Sequence, residues 1–290
     1  MDWIVQFGET LQRGTFGWVL VAVILTLFEL LNPHQRLSLK QRSSGMAFWA
    51  FSIPVTALLA TAFTAGMAAL EIPPLMELPV FATLAWAGPL ASILALLIGA
   101  VINDLFFYAF HRIQHRWLWR YHAVHHSIRD LSAVNSYHHI SESWIGLALF
   151  TLPTTLIVSD VGPALPFASL LLWLHIVWIH SPTRFNFGPL RAVFVDNRYH
   201  RIHHSLEHRH FDHNFGAFTT IWDRLFGTHY APQRDEWPDV GLAEVDQPRN
   251  LSEWLDLPAR YSRAVADDAP GRAESVDSPV RDWTGERAGA

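Results

Sequence analysis

The chain contains no cysteine, which excludes disulfides, thiolate metal sites, iron–sulfur clusters and cysteine nucleophiles together. Any metal must therefore be held by nitrogen or oxygen. Charge is also scarce: only 16% of the 290 residues are Asp, Glu, Lys or Arg, against about a quarter in ordinary soluble domains. Half of the residues are apolar and thirteen are tryptophan, a composition that belongs to a membrane protein. No phosphate-cradling glycine loop occurs. Residues 1–230 carry 13 acids against 14 basic residues, and the net charge of −5 comes from residues 231–290, with 13 acids and 7 arginines. The body offers no broad basic field, so nucleic acid is excluded as a partner.

About 20 apolar residues in a helix cross a hydrocarbon core about 30 Å thick. Residues 16–31, with one late charge at Glu29, and the uncharged runs 48–70 and 80–102 meet or approach that length. Two shorter apolar stretches, 144–158 and 164–179, are separated by Asp160, Gly162 and Pro163 and predict a membrane hairpin that does not fully span. The first segment lacks a basic leader and a small-residue cleavage site, so it is expected to stay as an anchor. Basic residues near the membrane set orientation. The 32–47 loop has Arg36, Lys40 and Arg42, whereas the 71–79 loop has only Glu71 and Glu77, which puts the former in the cytoplasm. Three crossings and a returning hairpin then bring 103–143 and the region after 180 to that same face. The expected fold is all-α: a polytopic integral membrane helical bundle with a cytosolic histidine-rich cap. Its expected divisions are 1–102, transmembrane helices; 103–230, the catalytic region including the hairpin at about 144–180; and 231–290, a Pro-rich acidic tail. Within that tail, 252–264 reads as an amphipathic helix capped by Asn250 or Ser252, with Trp254, Leu255 and Tyr261 as its contacts. Disorder is expected from about 265.

Histidine is the abundant anomaly. There are seventeen, and all but His34 fall within 111–139 and 175–229. His111 and His115 are four apart; His122, His125 and His126 follow the spacing 0, 3, 4, and His200, His203 and His204 repeat it. Residues three and four apart on a helix share a face, with Cβ atoms about 5–6 Å apart, so each pattern is a chelating unit. Neutral imidazole suits iron, zinc, copper and nickel. Eight imidazoles exceed what one ion uses, which points to two metals. His180, which leaves the last apolar segment, is a further ligand candidate, and His139 and His175 are possible additional ones. His208, His210 and His213 alternate with charged residues and read as surface histidines. Asp104, two turns before His111 on the same face, either orients a ligand imidazole or caps and hydrates the helix end.

These residues resemble the fatty acid hydroxylase and sterol desaturase superfamily of membrane oxygenases. The resemblance rests on His111-Arg-Ile-Gln-His115, His122-Ala-Val-His125-His126-Ser127 and His200-Arg-Ile-His203-His204. It extends to Asn103-Asp104-Leu-Phe-Phe-Tyr108, to Asn214-Phe-Gly216 and to Ile221-Trp-Asp-Arg-Leu-Phe-Gly-Thr228, and so covers about 100–230. After Asn135 the chain reads Ser-Tyr-His-His in place of a Thr-Ala-Arg-like run that relatives often show. The resemblance implies a diiron centre in a cytosolic cap, with the eight motif histidines as ligands, His180 as the extra one and His139 near a family histidine that precedes a Glu, here Glu142. It implies O2 as co-substrate, a lipid substrate (fatty acyl, sterol, ether lipid or carotenoid) and hydroxylation or desaturation of an unactivated C–H bond.

No catalytic side chain is needed beyond the metal centre. Asp104, Asn214 and Asp223 are expected to support the ligand shell. No haem-attachment, flavin or nicotinamide motif is present, so the electrons must come from a separate donor, a cytochrome b5-like protein, a ferredoxin or a reductase. Two rivals remain on the residues alone. A zinc-dependent membrane hydrolase would need a base, and the His-Glu-x-x-His helix that supplies one is absent. A metal transporter or sensor would place ligands near the bilayer midplane, whereas these lie beyond the apolar runs.

Overall fold

A computed structural model of the chain describes residues 3–71, 73, 88–157 and 165–267. Helices dominate, and among the described residues pairing of extended backbone is limited to isolated bridges such as Phe194 with Thr219. Three helices are long and apolar enough to cross a membrane: α1, Trp3–Leu31; α2, Leu39–Leu70; and α3, Pro89–Trp117. In each, less than a fifth of the most apolar window is buried within the protein (17%, 17% and 18%). The rest of that surface needs a non-aqueous neighbour. The first part of the third apolar run, Val80–Ala87, lies outside the described residues.

Local signals set the helix ends. The α1 helix stops at Leu31, ahead of Asn32-Pro33. Ser38 opens α2 through a capping box, its Oγ accepting from Gln41 N and its own N–H donating to Gln41 Oε1, so two orphan donors are satisfied reciprocally. Gly88, at φ 110°, and Pro89 open α3, glycine supplying the backbone and proline the position where a missing N–H costs nothing.

After α3 the chain turns at Leu118 into α4, Trp119–His126. An extended loop leads to α5, Ser141–Gly146, which runs through a π-helical turn, Leu147–Thr151, into α6, Leu152–Ile157. The return helix is α7, Leu165–Trp178; Asp160, Gly162 and Pro163, read as the hairpin turn, lie outside the described residues. The cap is completed by α8, Asn197–His203, α9, Ile221–Leu225, and α10, Leu251–Asp267. Asn250 caps α10 by accepting from Glu253 N. Trp254 and Leu257 are fully buried there and Tyr261 packs beside them, whereas Leu255 is 43% exposed, so Leu257 takes its expected place on the apolar face. Residues 265–267 close that helix; the remaining residues of the expected disordered tail lie outside the described ones.

Two apolar clusters flank the histidine helices. One joins Val21 and Leu25 of α1 to Trp178, Ile179, Val195, Tyr199 and Ala217. The other joins Phe48 of α2 to Val124, Ile128, Tyr137, Val240, Val245, Trp254 and Leu257, so residues beyond Tyr230 supply part of the core.

A buried ion pair locks the first two helices to this cap. Arg42 and Glu29 are bonded with side chains 3% and 0% exposed, and the second Glu29 oxygen accepts Ala133 N at 2.9 Å. Arg42, counted above as an orientation charge, therefore lies inside the fold. Gly45, one turn on, admits the 134–135 loop: an added Cβ would lie 2.3 Å from Val134 O and from Asn135 Oδ1. Removing one partner of a buried pair leaves the other charge stranded, which costs about 3–5 kcal/mol, against about 0–1 kcal/mol for an exposed pair. Arg42→Ala is expected to lower the thermal unfolding midpoint in detergent sharply. Arg13→Ala, which breaks the exposed Arg13–Glu9 pair, is expected to leave it nearly unchanged, and equal shifts would contradict this role for Arg42.

Candidate metal centre

Four structural pieces deliver the nine histidines singled out as primary ligands. His111 and His115 sit one turn apart near the end of α3; His122, His125 and His126 share one face of α4; His200 and His203 lie on α8 with His204 at its C-terminal end; and His180 follows α7. Asp196 caps α8 by accepting from Arg198 N and Tyr199 N at 3.1 and 3.0 Å. All nine are buried. They form two groups whose ligand atoms lie within 4.8 Å of one another: His111, His115, His122, His126 and His203, and His125, His180, His200 and His204.

The outward nitrogens fix the tautomers. Nδ1–H of His111 donates to Phe215 O at 2.8 Å, of His125 to Tyr137 O at 3.2 Å, of His180 to Ile176 O at 3.0 Å and of His203 to His213 O at 2.8 Å. His122 Nδ1–H donates to Glu142 Oε2 at 3.1 Å, and His115 Nδ1 lies 3.4 Å from Asp212 Oδ1. A carbonyl can only accept, so each such neutral ring carries its lone pair on Nε2. The Nε2 atoms face one another: His111 and His122 at 3.1 Å, His115 and His126 at 3.2 Å, His125 and His180 at 3.2 Å, His180 and His200 at 3.0 Å, and His200 and His204 at 3.2 Å. For His125 and His180 both protons are committed to carbonyls, so two lone pairs meet with no hydrogen between them. His203 Nε2 is buried with no hydrogen-bond partner among the described residues. Nitrogens about 2.1 Å from one ion stand about 3.0 Å apart at right angles. These residues therefore fit bound cations, one per group.

Burial also keeps the rings neutral. It holds His122 and His180 down to about 3 and pushes His125, His126, His200, His203 and His204 well below the usual imidazole range. Neutral imidazole is the form that binds metal.

The supporting carboxylates act through the backbone. Asp223 accepts from Phe215 N, Gly216 N and Thr228 Oγ1, and Asp104 accepts from the amides of Ala217, Phe218 and Thr219 at 2.9 Å each. Together they shape the loop whose Phe215 carbonyl orients His111. Asp104 thus bonds neither a ligand imidazole nor solvent, the two roles read from its spacing. Asn214, at φ 61°, spans the same loop by donating to Tyr199 O and Tyr230 O.

The structure does not bring His139 or His175 into either group. His139 turns to Ser141 and Leu255 O, while its neighbour His138 faces inward, stacked 3.9 Å from His125. His175 sits among Trp178, Phe187 and Phe218. Among the histidines read as surface ones, His210 is fully buried, bonded to Ser205 and Glu236. Sequence reasoning gave no role to Gln114 and Glu142. Gln114 Nε2 donates to Glu142 Oε2, and Glu142 groups with His122 and His138. Glu142 Oε1 is buried without a hydrogen-bond partner among the described residues, and burial pushes its carboxyl above the usual range.

A cavity of about 280 Å³ borders both groups. Trp49, Phe107, Phe110, Ile176 and Ile179 make its apolar wall; His111, His122, His125, His180, His200, Gln114 and Glu142 supply the polar one.

The fatty acid hydroxylase family profile matches residues 96–228. An ornithine lipid hydroxylase of Rhizobium tropici is 29% identical over 236 residues, 76% of this chain and 67% of its own. Human alkylglycerol monooxygenase is 33% identical over 44% of this chain and 29% of its own. Human cholesterol 25-hydroxylase is 30% identical over 44% of this chain and 48% of its own. The chain thus spans two thirds of the first relative and less than a third of the second. No solved structure matches it.

Metal content per purified chain tests the geometry. Wild type is expected to hold two ions; His180→Ala is expected to lose one or both, while His139→Ala keeps both. Asp223→Ala, which frees the amides behind the Phe215 carbonyl, is expected to weaken metal affinity by about 10–100-fold. Full affinity in that variant would remove its supporting role.

Proposed function

We propose that the chain is a membrane-bound diiron oxygenase that hydroxylates a C–H bond of a bilayer lipid, a reading supported by the fatty acid hydroxylase profile over residues 96–228. The observation that carries this reading is the pair of imidazole groups bordering one apolar cavity. Five nitrogens in one group exceed the four of a tetrahedral zinc site, and separations of 3.0–3.2 Å suit right-angled coordination. Imidazole and those angles suit iron, nickel and copper alike, and among these the O2 chemistry of the hydroxylase relatives favours iron. The five-membered group would hold one iron and His125, His180, His200 and His204 the other. Bound there, iron supplies the O2 activation that no side chain here provides.

The protein's own residues hold, orient and exclude. Backbone carbonyls keep the protons of His111, His125, His180 and His203 outward, which leaves the Nε2 lone pairs of those four rings free for a metal. Trp49, Phe107, Phe110, Ile176 and Ile179 exclude water and take an alkyl segment; the first three belong to α2 and α3, so the cavity is walled by the heads of the apolar helices, where a bilayer lipid would enter. Glu142 holds His122 through Nδ1 and keeps a second oxygen at the cavity, able to hold a proton there. Overall, one atom of O2 enters the substrate as hydroxyl and the other leaves as water, using two electrons and two protons from outside the chain. Arg36 and Lys40 beside the membrane support a multi-pass topology with this centre on the cytoplasmic face. The relatives described above are hydroxylases or monooxygenases, which favours an alcohol product over an alkene.

Lipid mass spectrometry on cells grown under ¹⁸O₂, carrying either the wild type or His125→Ala, tests the reading. One lipid class is expected to gain a single labelled oxygen only with the wild type. Loss of two hydrogens without label would make the protein a desaturase. Identical lipidomes from iron-loaded wild type and variant would overturn the oxygenase reading.

A further inference from the structure

A second cavity, about 720 Å³, lies against the five-histidine group and shares no lining residue with the first. Its floor is His115 and Trp119; Arg112, Arg116, Trp117 and Tyr261 stand around it. The Trp119 ring lies 4.8 Å from that of His115 and 5.0 Å from that of His126, and its Nε1–H donates to Tyr261 Oη at 2.8 Å. An indole edge is thus clamped between a solvent cavity and two imidazoles of one metal group.

We propose that this cavity docks a one-electron carrier protein with an acidic face, and that Trp119 is the residue through which the electron passes inward. The inference rests on the oxygenase reading above, whose reaction needs two external electrons. Each visit oxidises one carrier by one electron and reduces the centre by one.

Two observations select a protein over a lipid as the occupant. The first is charge: Arg112 and Arg116 line the cavity one turn apart on α3, with Arg116 exposed, and among the described residues Asp212 is the one acid lining it. The second is height. The uncharged run ends at Ile102, and α3 continues unbroken to Trp117, so Arg116 stands about 21 Å farther along the axis at about 1.5 Å per residue. A tilt of about 40° still leaves about 16 Å, beyond a headgroup layer about 5–8 Å thick. The cavity therefore lies beyond the headgroup layer and shares no lining residue with the other, so carrier and lipid do not compete.

The test uses iron-loaded protein in nanodiscs of neutral lipid and two acidic probes, a plant-type [2Fe–2S] ferredoxin and a soluble b-type cytochrome domain. Equilibrium binding is read at several salt concentrations, and oxidation of the reduced carrier is followed by stopped-flow absorbance. Arg116→Glu is expected to weaken binding of at least one probe about tenfold at low salt, with the gap closing as salt rises. Trp119→Leu is expected to change affinity by no more than about twofold while slowing carrier oxidation by about tenfold or more, and Trp119→Phe to restore most of the rate. Failure of both probes to bind, or salt-independent binding unaffected by Arg116→Glu, would overturn the docking site. Loss of binding to phosphatidylglycerol vesicles in Arg116→Glu, with carrier affinity unchanged, would assign the face to lipid instead. Equal transfer rates in Trp119→Leu and wild type would remove Trp119 from the path. Binding needs no turnover, so a protein that docks carriers through Arg116 but forms no labelled lipid, even with dithionite as reductant, would sink the oxygenase reading and leave the docking site standing.

Discussion

Nine buried imidazoles crowd together, several of them Nε2 to Nε2, and the surrounding cap is arranged to make that tolerable. Unpaired polar atoms in a dry interior cost several kcal/mol each, and converging lone pairs add repulsion. For six of the nine rings the fold meets the outward half of the problem with a carbonyl or carboxylate facing Nδ1: Phe215, Tyr137, Ile176 and His213 through their carbonyls, Glu142 and Asp212 through their side chains. The inward half is left to a cation. A site built this way suits metal: six of the nine outward nitrogens already face an acceptor, and burial keeps the rings neutral.

The two cavities divide the chemistry by phase. One is walled by the heads of α2, α3 and α7 and reaches both groups; the other opens over the far end of α3 and touches only His115. A helix that continues well past its apolar run makes this possible, because a single rod carries the cavity-lining Phe107 and Phe110, the candidate ligands His111 and His115, and the exposed Arg116. The buried Arg42–Glu29 pair serves the same geometry from the other side. It fastens α1 and α2 to Ala133 in the loop that also carries His138. A charged pair inside membrane-proximal helices is expensive, and its partner across the fold is a segment that lines the site.

The nine principal histidines were legible because their information is local: spacings of three and four mean one helix face whatever surrounds them. The long apolar helices were legible for the same reason. What failed depended on partners distant in sequence. His139 and His138 are adjacent in one loop, and only contact with α10 and α4 decides which one faces inward. Asp104 was recognisable as significant, but its three amide partners lie 113–115 residues away. Glu142 and Gln114 belong to no spacing pattern. Arg42 read as a surface charge because its partner sits on another helix. Local periodicity reported which faces exist; tertiary contact alone reported what each face meets.

The roles of Asp104 and Asp223 show why carboxylates can serve a metal centre without touching a ligand. The peptide unit joining Phe215 to Gly216 donates its N–H to Asp223 Oδ2 at 2.9 Å and accepts His111 Nδ1–H through its carbonyl at 2.8 Å. A charge on the N–H side polarises that peptide and strengthens its carbonyl as an acceptor. Asp104 does the same for the next three amides, so the loop is held rigid over five consecutive residues. A carboxylate bonded directly to an imidazole can swing with it or take its proton; one acting through a fixed peptide can do neither. The loop is thereby oriented beside the metal group without a carboxyl touching a ring, while the proton on His111 stays where the backbone puts it.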